Sequence, residues 1–102
     1  MKTKTMMAIG DNENVYVFNA VGIDSLIVLE KELENIINVK TQEGIKIFFV
    51  SQQFSGKINE IRKEYQSSYP IFLTLAMDEN VLSTGVKELE ENVEKATGIK
   101  LF

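Results

Sequence analysis

Four short apolar runs, separated by polar segments, are the clearest feature of the first three quarters of the chain. They cover residues 6–9, 26–29, 45–50 and 71–76, and the second is the weakest. Runs of this length that are nearly continuous, rather than alternating with polar residues, are typical of strands covered on both faces in a parallel sheet. The pattern therefore predicts four strands.

The segments between these runs have the spacing of helices. Their defining positions are Val15, Phe18, Ala20 and Val21 in the first, Leu33, Ile36, Ile37 and Lys40 in the second, and Ile58, Ile61, Arg62 and Tyr65 in the third. Gly22 and Gly44 can end the first two helices in a left-handed conformation, and Pro70 suits the first residue of a strand. Alternating strands and helices predict an α/β fold, a small four-stranded parallel sheet flanked by helices on both faces, receiver-like or Rossmann-like.

A narrow apolar stripe marks the C-terminal segment. Its members, here called the C-terminal stripe, are Val86, Leu89, Val93 and Ala96. Spacings of three, four and three are typical of a coiled-coil seam, whereas a helix that covers a sheet usually has a broader apolar face. We therefore expect a domain over residues 1–77, a hinge over 78–85 and a helix with its tail over 86–102, and the stripe favours docking on a partner helix.

Composition excludes several function classes. The formal net charge is −4 without an extended basic run, which argues against nucleic acid as a partner. The absence of cysteine and histidine removes thiolate nucleophiles, Cys/His zinc sites and imidazole acid-base catalysis, so an enzyme is the class least expected. No apolar run approaches the ~18 residues of a membrane span, which predicts a cytoplasmic protein without direct membrane insertion.

Candidate chemistry is confined to the ends of two predicted strands. Gly10 and Asp11 follow the first strand, and Ser51 ends the third. Because ligands collect at the carboxyl ends of parallel strands, these residues form a possible sheet-edge loop site. A dinucleotide site has little support, since no second and third glycine follow. The favoured interpretation is structural: Gly10 makes the turn, and Asp11 or Asn12 caps the first helix.

A second constellation is acidic. Asp11, Glu13 and Asp24 could gather around a magnesium ion as in phosphoacceptor receiver domains. Ser51 stands where such a domain needs an acceptor aspartate at the end of the third strand, so a phosphorylation switch is disfavoured. We predict no catalytic residue, no cofactor and no metal site.

Polar and aromatic residues near the third helix have two interpretations each. Gln52 and Gln53, with Ser51, could bind a small ligand or could form a loop that caps a helix beginning near Ser55. Tyr65 and Tyr69 could mark an interface, but a tyrosine at a helix-loop junction is more often core with a wet hydroxyl.

Several short motifs follow one another in a set order. They are Gly10-Asp11-Asn12-Glu13-Asn14-Val15, then Phe18 and Gly22-Ile23, Pro70-Ile71-Phe72-Leu73, Ser83-Thr84-Gly85, and Asn92-Val93-Glu94-Lys95-Ala96-Thr97-Gly98 before the apolar end. This order resembles the F subunit of the V-type and A-type rotary ATPases over essentially the full length. Val17, Ala20 and Glu13 depart from the residues usual in that family.

The resemblance implies a non-catalytic component of the central rotor stalk. Such proteins have a globular domain with a parallel sheet and a C-terminal helix that associates with the coiled-coil D subunit. The pair turns inside the catalytic A3B3 head, connects it to the membrane ring, and modulates ATP hydrolysis, while ATP and magnesium bind on the head. The alternative is a receiver-like signalling module that binds a small ligand or ion at Gly10, Asp11 and Ser51.

Overall fold

Strands and helices alternate along the chain as the apolar runs predict. A computed structural model describes residues 5–65 and 69–77. The strands are β1 (Met6–Gly10), β2 (Asp24–Ile27), β3 (Ile47–Ser51) and β4 (Ile71–Leu75). The α-helices are α1 (Leu33–Gln42) and α2 (Ser55–Arg62), and 3-10 segments cover Glu13–Val21, Glu30–Glu32 and Gln52–Phe54.

All four strands are parallel and lie in the order β2-β1-β3-β4. This confirms the predicted sheet. Because the strands are parallel, all four end at the same side of the sheet, which is called the carboxyl edge below. The loops that follow β1, β2, β3 and β4 therefore lie next to one another at this edge.

The sheet separates two hydrophobic cores, and every residue of β3 is buried. On one face α1 and α2 pack through Leu33, Ile37, Ile58 and Ile61, and Phe48 stacks on Phe72 with ring centroids 5.5 Å apart. On the other face the 3-10 helix Glu13–Val21 packs on the sheet, and Phe18 stacks on Phe49, also at 5.5 Å. Alternation along β3 sends neighbouring phenylalanines to opposite faces, which confirms the prediction of cover on both faces.

The first helical segment is a 3-10 helix, and its burial follows that period. Val15, Phe18 and Val21 are buried, whereas Ala20 is exposed, so its predicted place on the packed face is wrong. A 3-10 helix has three residues per turn, so positions three apart eclipse one another and form a single stripe. Gly22 ends the helix with φ 81°, as predicted, and Gly44 after α1 has φ 107°.

Two polar positions of the predicted helical spacings have partners at the surface instead of in the core. Lys40 is half-buried, and its Nζ lies 3.3 Å from Glu43 Oε1. Arg62 is exposed and donates a hydrogen bond of 2.9 Å to the carbonyl oxygen of Phe72, with its guanidinium 5.9 Å from that ring's centroid. Arg62 thus covers a main-chain acceptor of β4, which has only β3 as a neighbouring strand within the described residues.

The C-terminal stripe and the predicted hinge lie outside the described residues, so the C-terminal helix stays a prediction. Within residues 5–65 and 69–77, no helix has both the length and the apolar character needed to cross a membrane.

Candidate functional site

The loop after β1 is shaped by a close approach and a cap. Asn12 precedes the 3-10 helix Glu13–Val21, and its Oδ1 accepts a hydrogen bond of 2.9 Å from the main-chain N–H of Asn14. This confirms the capping interpretation and assigns the cap to Asn12. A Cβ atom at Gly10 would lie 2.7 Å from Val15 Cβ and 3.3 Å from Met77 Sδ. Gly10 therefore serves close packing at this edge.

The structure brings Asp11 and Ser51 together from the ends of neighbouring strands. Ser51 is buried, and its Oγ donates to Asp11 Oδ1 at 3.3 Å while accepting from the main-chain N–H of Gln53 at 3.3 Å. Asn12 Nδ2 donates to the same carboxylate oxygen at 3.1 Å. The hydrogen bond between the Ser51 hydroxyl and the Asp11 carboxylate therefore links the end of β3 to the loop that follows β1. The predicted helix does begin at Ser55, but no side chain of the loop caps it; Ser51 instead caps the 3-10 turn Gln52–Phe54 that precedes α2.

A cleft of about 210 Å³ opens between these loops. Its lining is Asn12, Asn14, Ser51, Gln52, Gln53, Ala76 and Met77. All of these side chains are uncharged, and four are amides that can both donate and accept hydrogen bonds. The cleft is therefore suited to polar neutral groups, and a small ligand there stays a prediction.

Asn14 also lies at this edge, and the sequence analysis did not predict the contact that it makes there. Its Nδ2 donates to the carbonyl oxygen of Met77 at 3.4 Å, across a sequence separation of 63 residues. Met77 is buried in the core on the side of the 3-10 helix. The hydrogen bond from Asn14 and the burial of the Met77 side chain together fix the position of the chain where it leaves β4. No local spacing could have indicated them, because the partners lie in distant segments.

The structure does not bring together Asp11, Glu13 and Asp24, the acidic residues weighed above as a magnesium site. Asp24 begins β2 and is in register with Met7, near the amino end of β1, whereas Asp11 follows the carboxyl end of that strand. The two carboxylates therefore belong to opposite edges of the sheet. Among the residues that the structure describes, no group of three or more acidic side chains could hold a metal ion.

The two tyrosines occupy different environments. Tyr65 packs partly against the core under α1 and α2, with its ring centroid 6.0 Å from that of Phe72, and its hydroxyl donates to Asn38 Oδ1. This matches the interpretation of a core tyrosine with a wet hydroxyl. For Tyr69 the interpretation as a core residue is wrong, because its side chain is exposed; Lys46 Nζ lies 5.5 Å from its ring centroid.

A carboxyl pair links the surface of α1 to the segment that follows α2. A hydrogen bond to the Glu34 carboxyl raises the pKa of Glu64 above its usual value of 4.5, and desolvation and the Glu34 charge act in the same direction. The ammonium of Lys57, which lies 3.8 Å from Glu34 Oε2, opposes this change. The pair is therefore most favourable when Glu64 is protonated.

Glu64→Gln should make stability less dependent on pH. The wild-type contribution is fully present below the ordinary carboxyl pKa and is lost as the pH rises through the raised value, since ionised Glu64 no longer donates to Glu34. Glutamine keeps a donor at every pH, so we expect the variant to be more stable than wild type near neutral pH, with a smaller difference in acid. Urea unfolding across this pH range measures the effect, and Glu60→Gln in α2 is the control. Parallel pH profiles of wild type and Glu64→Gln would contradict this account.

Together the fold and the site define a small open α/β domain with a parallel sheet and a polar cleft at its carboxyl edge. The family model of the ATP synthase (F/14-kDa) subunit matches residues 6–93. The chain belongs to this family.

Relatives named as the F subunit of V-type ATP synthase are similar over nearly the whole chain. The protein of Fusobacterium nucleatum is 33% identical over 96 residues, which cover 92% of this chain and 91% of the relative. That of Clostridium perfringens is 28% identical over 101 residues, which cover 97% and 96%. The resemblance drawn from the short motifs is confirmed.

Proposed function

We propose that this chain is the non-catalytic F subunit of a V/A-type rotary ATPase, located in the central stalk. In this role it binds the coiled-coil D subunit and through it connects the A3B3 head with the membrane ring. It couples or modulates ATP hydrolysis or synthesis and ion transport, while nucleotide chemistry takes place on the head. The protein would be cytoplasmic and peripheral to the membrane.

The observation that carries this proposal is the extent of the family match. It begins at β1 and continues to residue 93, so it includes both the α/β domain and the first three members of the C-terminal stripe. Relatives named as the F subunit match over the same span and beyond it. The match thus covers most of the predicted domain over residues 1–77, the predicted hinge over 78–85 and the first part of the predicted helix and tail over 86–102.

The C-terminal stripe supplies the proposed contact with the D subunit. Burying Val86, Leu89 and Val93 contributes roughly 1–3 kcal/mol of gross transfer free energy each, and Ala96 less. Ordering and association take back several kcal/mol, so binding depends on the central pair Leu89 and Val93. The described domain supplies a fixed base for this helix, because Asn14 and the Gly10 contact hold Met77 at the carboxyl edge.

The test is the double variant Leu89→Asp/Val93→Asp. Two carboxylates in the centre of an apolar interface must be desolvated without partners, so we expect affinity for the D subunit to fall at least about a hundredfold. Calorimetric titration with the purified coiled-coil protein from the same source measures this. The control, Glu90→Asp/Glu94→Asp, places two aspartates on the same predicted helix outside the stripe and should bind normally.

Two outcomes would overturn the proposal. One is wild-type affinity in the stripe variant, and the other is unfolding of the α/β domain in that variant. Circular dichroism and the urea midpoint of the unbound variant separate the second outcome from a specific loss of binding.

A further inference from the structure

The two outer strands of the sheet differ in how their outward main-chain groups are covered. Successive residues of a strand direct their N–H and C=O groups alternately toward one side and the other. In β4, the N–H of Ile71 donates to the carbonyl oxygen of Lys46 at 2.8 Å, so the groups of Phe72 point away from β3. Arg62 binds the outward carbonyl of Phe72 at 2.9 Å, and Pro70, directly before the strand, has no N–H. Both features protect this side of the sheet against a further strand.

The outward groups of β2 are not covered in this way. The N–H of Val28 donates to the carbonyl oxygen of Gly10 at 3.0 Å, so Val28 and, by alternation, Leu26 direct their main-chain groups toward β1. The N–H and C=O groups of Ser25 and Ile27 therefore point away from the sheet. They have no main-chain partner in the part of the chain that the structure describes. These outward groups, together with the Ile27 side chain, are called the β2 edge below.

An apolar side chain lies directly beside these groups. Ile27 is 44% exposed, although it belongs to a strand. Its side chain lies on the same face of the sheet as that of Ser25, whose Oγ donates to Asn19 Oδ1 at 3.0 Å. An added strand would place a side chain opposite Ile27 on this face, and an apolar one would cover it. The β2 edge is therefore suited to an extended segment with an apolar residue at that position.

The charges around β2 favour a basic segment. Exposed Asp24 begins the strand, and exposed Glu30 and Glu32 follow it, whereas Lys31 is the one basic residue within residues 24–32. A second copy of this chain, paired through its own β2, would bring the same acidic residues together and is disfavoured for that reason. A segment with lysine or arginine next to its apolar residues complements the charge instead.

We propose that the β2 edge binds an extended, basic segment of a partner protein and adds it to the sheet as a further strand. The segment runs antiparallel to β2, since this pairing is more stable per residue than the parallel one. Main-chain hydrogen bonds to Ser25 and Ile27 hold it, an apolar residue covers Ile27, and basic residues lie near Asp24. The inference does not involve the C-terminal stripe, so its failure would leave the proposed function unaffected.

Amide hydrogen exchange in the full chain tests whether the β2 edge is open. We expect the amides of Ser25 and Ile27 to exchange at least about tenfold faster than those of Leu26 and Val28, which face β1. Two-dimensional NMR resolves these four signals in one experiment. Equal protection of all four amides would show that the edge is already covered, and would overturn the proposal.

A synthetic peptide tests the addition of a strand. The probe is a hexapeptide, blocked at both ends, that alternates isoleucine with lysine. We expect saturable shifts of the Ser25 and Ile27 amide signals, with a dissociation constant on the order of 1 mM. A peptide that alternates isoleucine with glutamate should bind severalfold more weakly, and this difference should shrink at high salt.

Matched N-methylation of the peptide tests the hydrogen bonds themselves. In an antiparallel pair the isoleucine opposite Ile27 directs its N–H toward β2, while the lysines direct theirs away. Methylating the isoleucine amides should therefore weaken binding at least about tenfold, whereas methylating the lysine amides should leave the edge that faces β2 intact.

Ile27→Pro makes the complementary change in the protein. Proline removes an outward N–H that has no role in the pairing with β1, so the sheet should remain folded. The variant should bind the lysine peptide about tenfold more weakly, and Thr74→Pro, which removes an outward N–H from β4, should bind near wild type. Circular dichroism of both variants checks the fold.

Three results of these binding experiments would overturn the proposal. One is the absence of saturable shifts at Ser25 and Ile27 with the lysine peptide. Another is an isoleucine-methylated peptide that binds at least as tightly as the lysine-methylated one. The third is equal affinity of the lysine and glutamate peptides, which would exclude a basic partner. The two peptide results need no protein variant, so they hold even if Ile27→Pro fails to fold.

Discussion

Phe49→Ala should lower the free energy of unfolding by about 3–5 kcal/mol. Phe49 is fully buried in the central strand β3 and stacks on Phe18 with ring centroids 5.5 Å apart. Its removal takes away a large apolar surface and leaves a cavity between the sheet and the 3-10 helix Glu13–Val21. A domain of this size has a total stability of roughly 5–15 kcal/mol, so the variant should be close to unfolding at physiological temperature.

Urea unfolding followed by circular dichroism measures this loss. Tyr16→Ala is the matched control, because Tyr16 lies on the same 3-10 helix and is 48% exposed. It should cost less than about 1 kcal/mol. Equal stability of the two variants would contradict the packing of the 3-10 helix on the sheet through Phe18 and Phe49.

Gly10→Ala should lower the free energy of unfolding by about 1–3 kcal/mol. The added methyl group would lie 2.7 Å from Val15 Cβ, and a Cβ atom cannot move without its backbone. The start of the 3-10 helix must shift, and Met77, 3.3 Å away through its sulfur, must also give way. Besides losing stability, the variant should disturb the contact of Asn14 with the Met77 carbonyl.

Gly56→Ala provides the control for this prediction. Gly56 lies in α2 with no atom within 4 Å of an added Cβ, so alanine should be neutral or stabilise by up to about 1 kcal/mol through its higher helix propensity. The amide signals of Asn14 and Met77 in a two-dimensional NMR spectrum report the local shift in Gly10→Ala. Equal stability of the two variants, with unchanged signals, would exclude the close approach as the reason for the glycine.

The prediction for Gly10 also bears on the proposed function. The predicted hinge follows Met77 directly, and Asn14 and the close approach at Gly10 hold Met77 at the carboxyl edge. If the chain acts in the central stalk as proposed, Gly10→Ala should weaken coupling although it leaves the C-terminal stripe unchanged.

Sequence reasoning succeeds where the signal is local and strong. The continuous apolar run of β3 predicts a strand covered on both faces, and Gly22 is correctly placed at the end of a helix. The pattern is less accurate for β2, which covers Asp24–Ile27 instead of residues 26–29. An edge strand is covered less completely, so its hydrophobic pattern marks its ends poorly.

At the candidate site the sequence predicts the members better than their roles. Gly10, Asp11 and Ser51 are expected together because strands that run parallel end at one edge, and Asp11 and Ser51 do contact each other. Asp11 and Ser51 hold the two loops together through a hydrogen bond of 3.3 Å. The spacing of residues along the sequence does not indicate such a bond, because it forms between distant segments. Asp24 precedes the predicted second strand in the chain, and the structure accordingly places it at the amino end of β2, away from Asp11.

The sequence by itself determined the alternation of strand and helix, the parallel sheet and the membership of the family, since periodicity and motif order are properties of the chain. The tertiary structure decided why Gly10 must be glycine, how Asn14 holds Met77 and which apolar residues remain exposed at the carboxyl edge. These depend on atoms that meet only after folding, from segments up to 63 residues apart, and contacts of that kind leave no periodic signal in the chain.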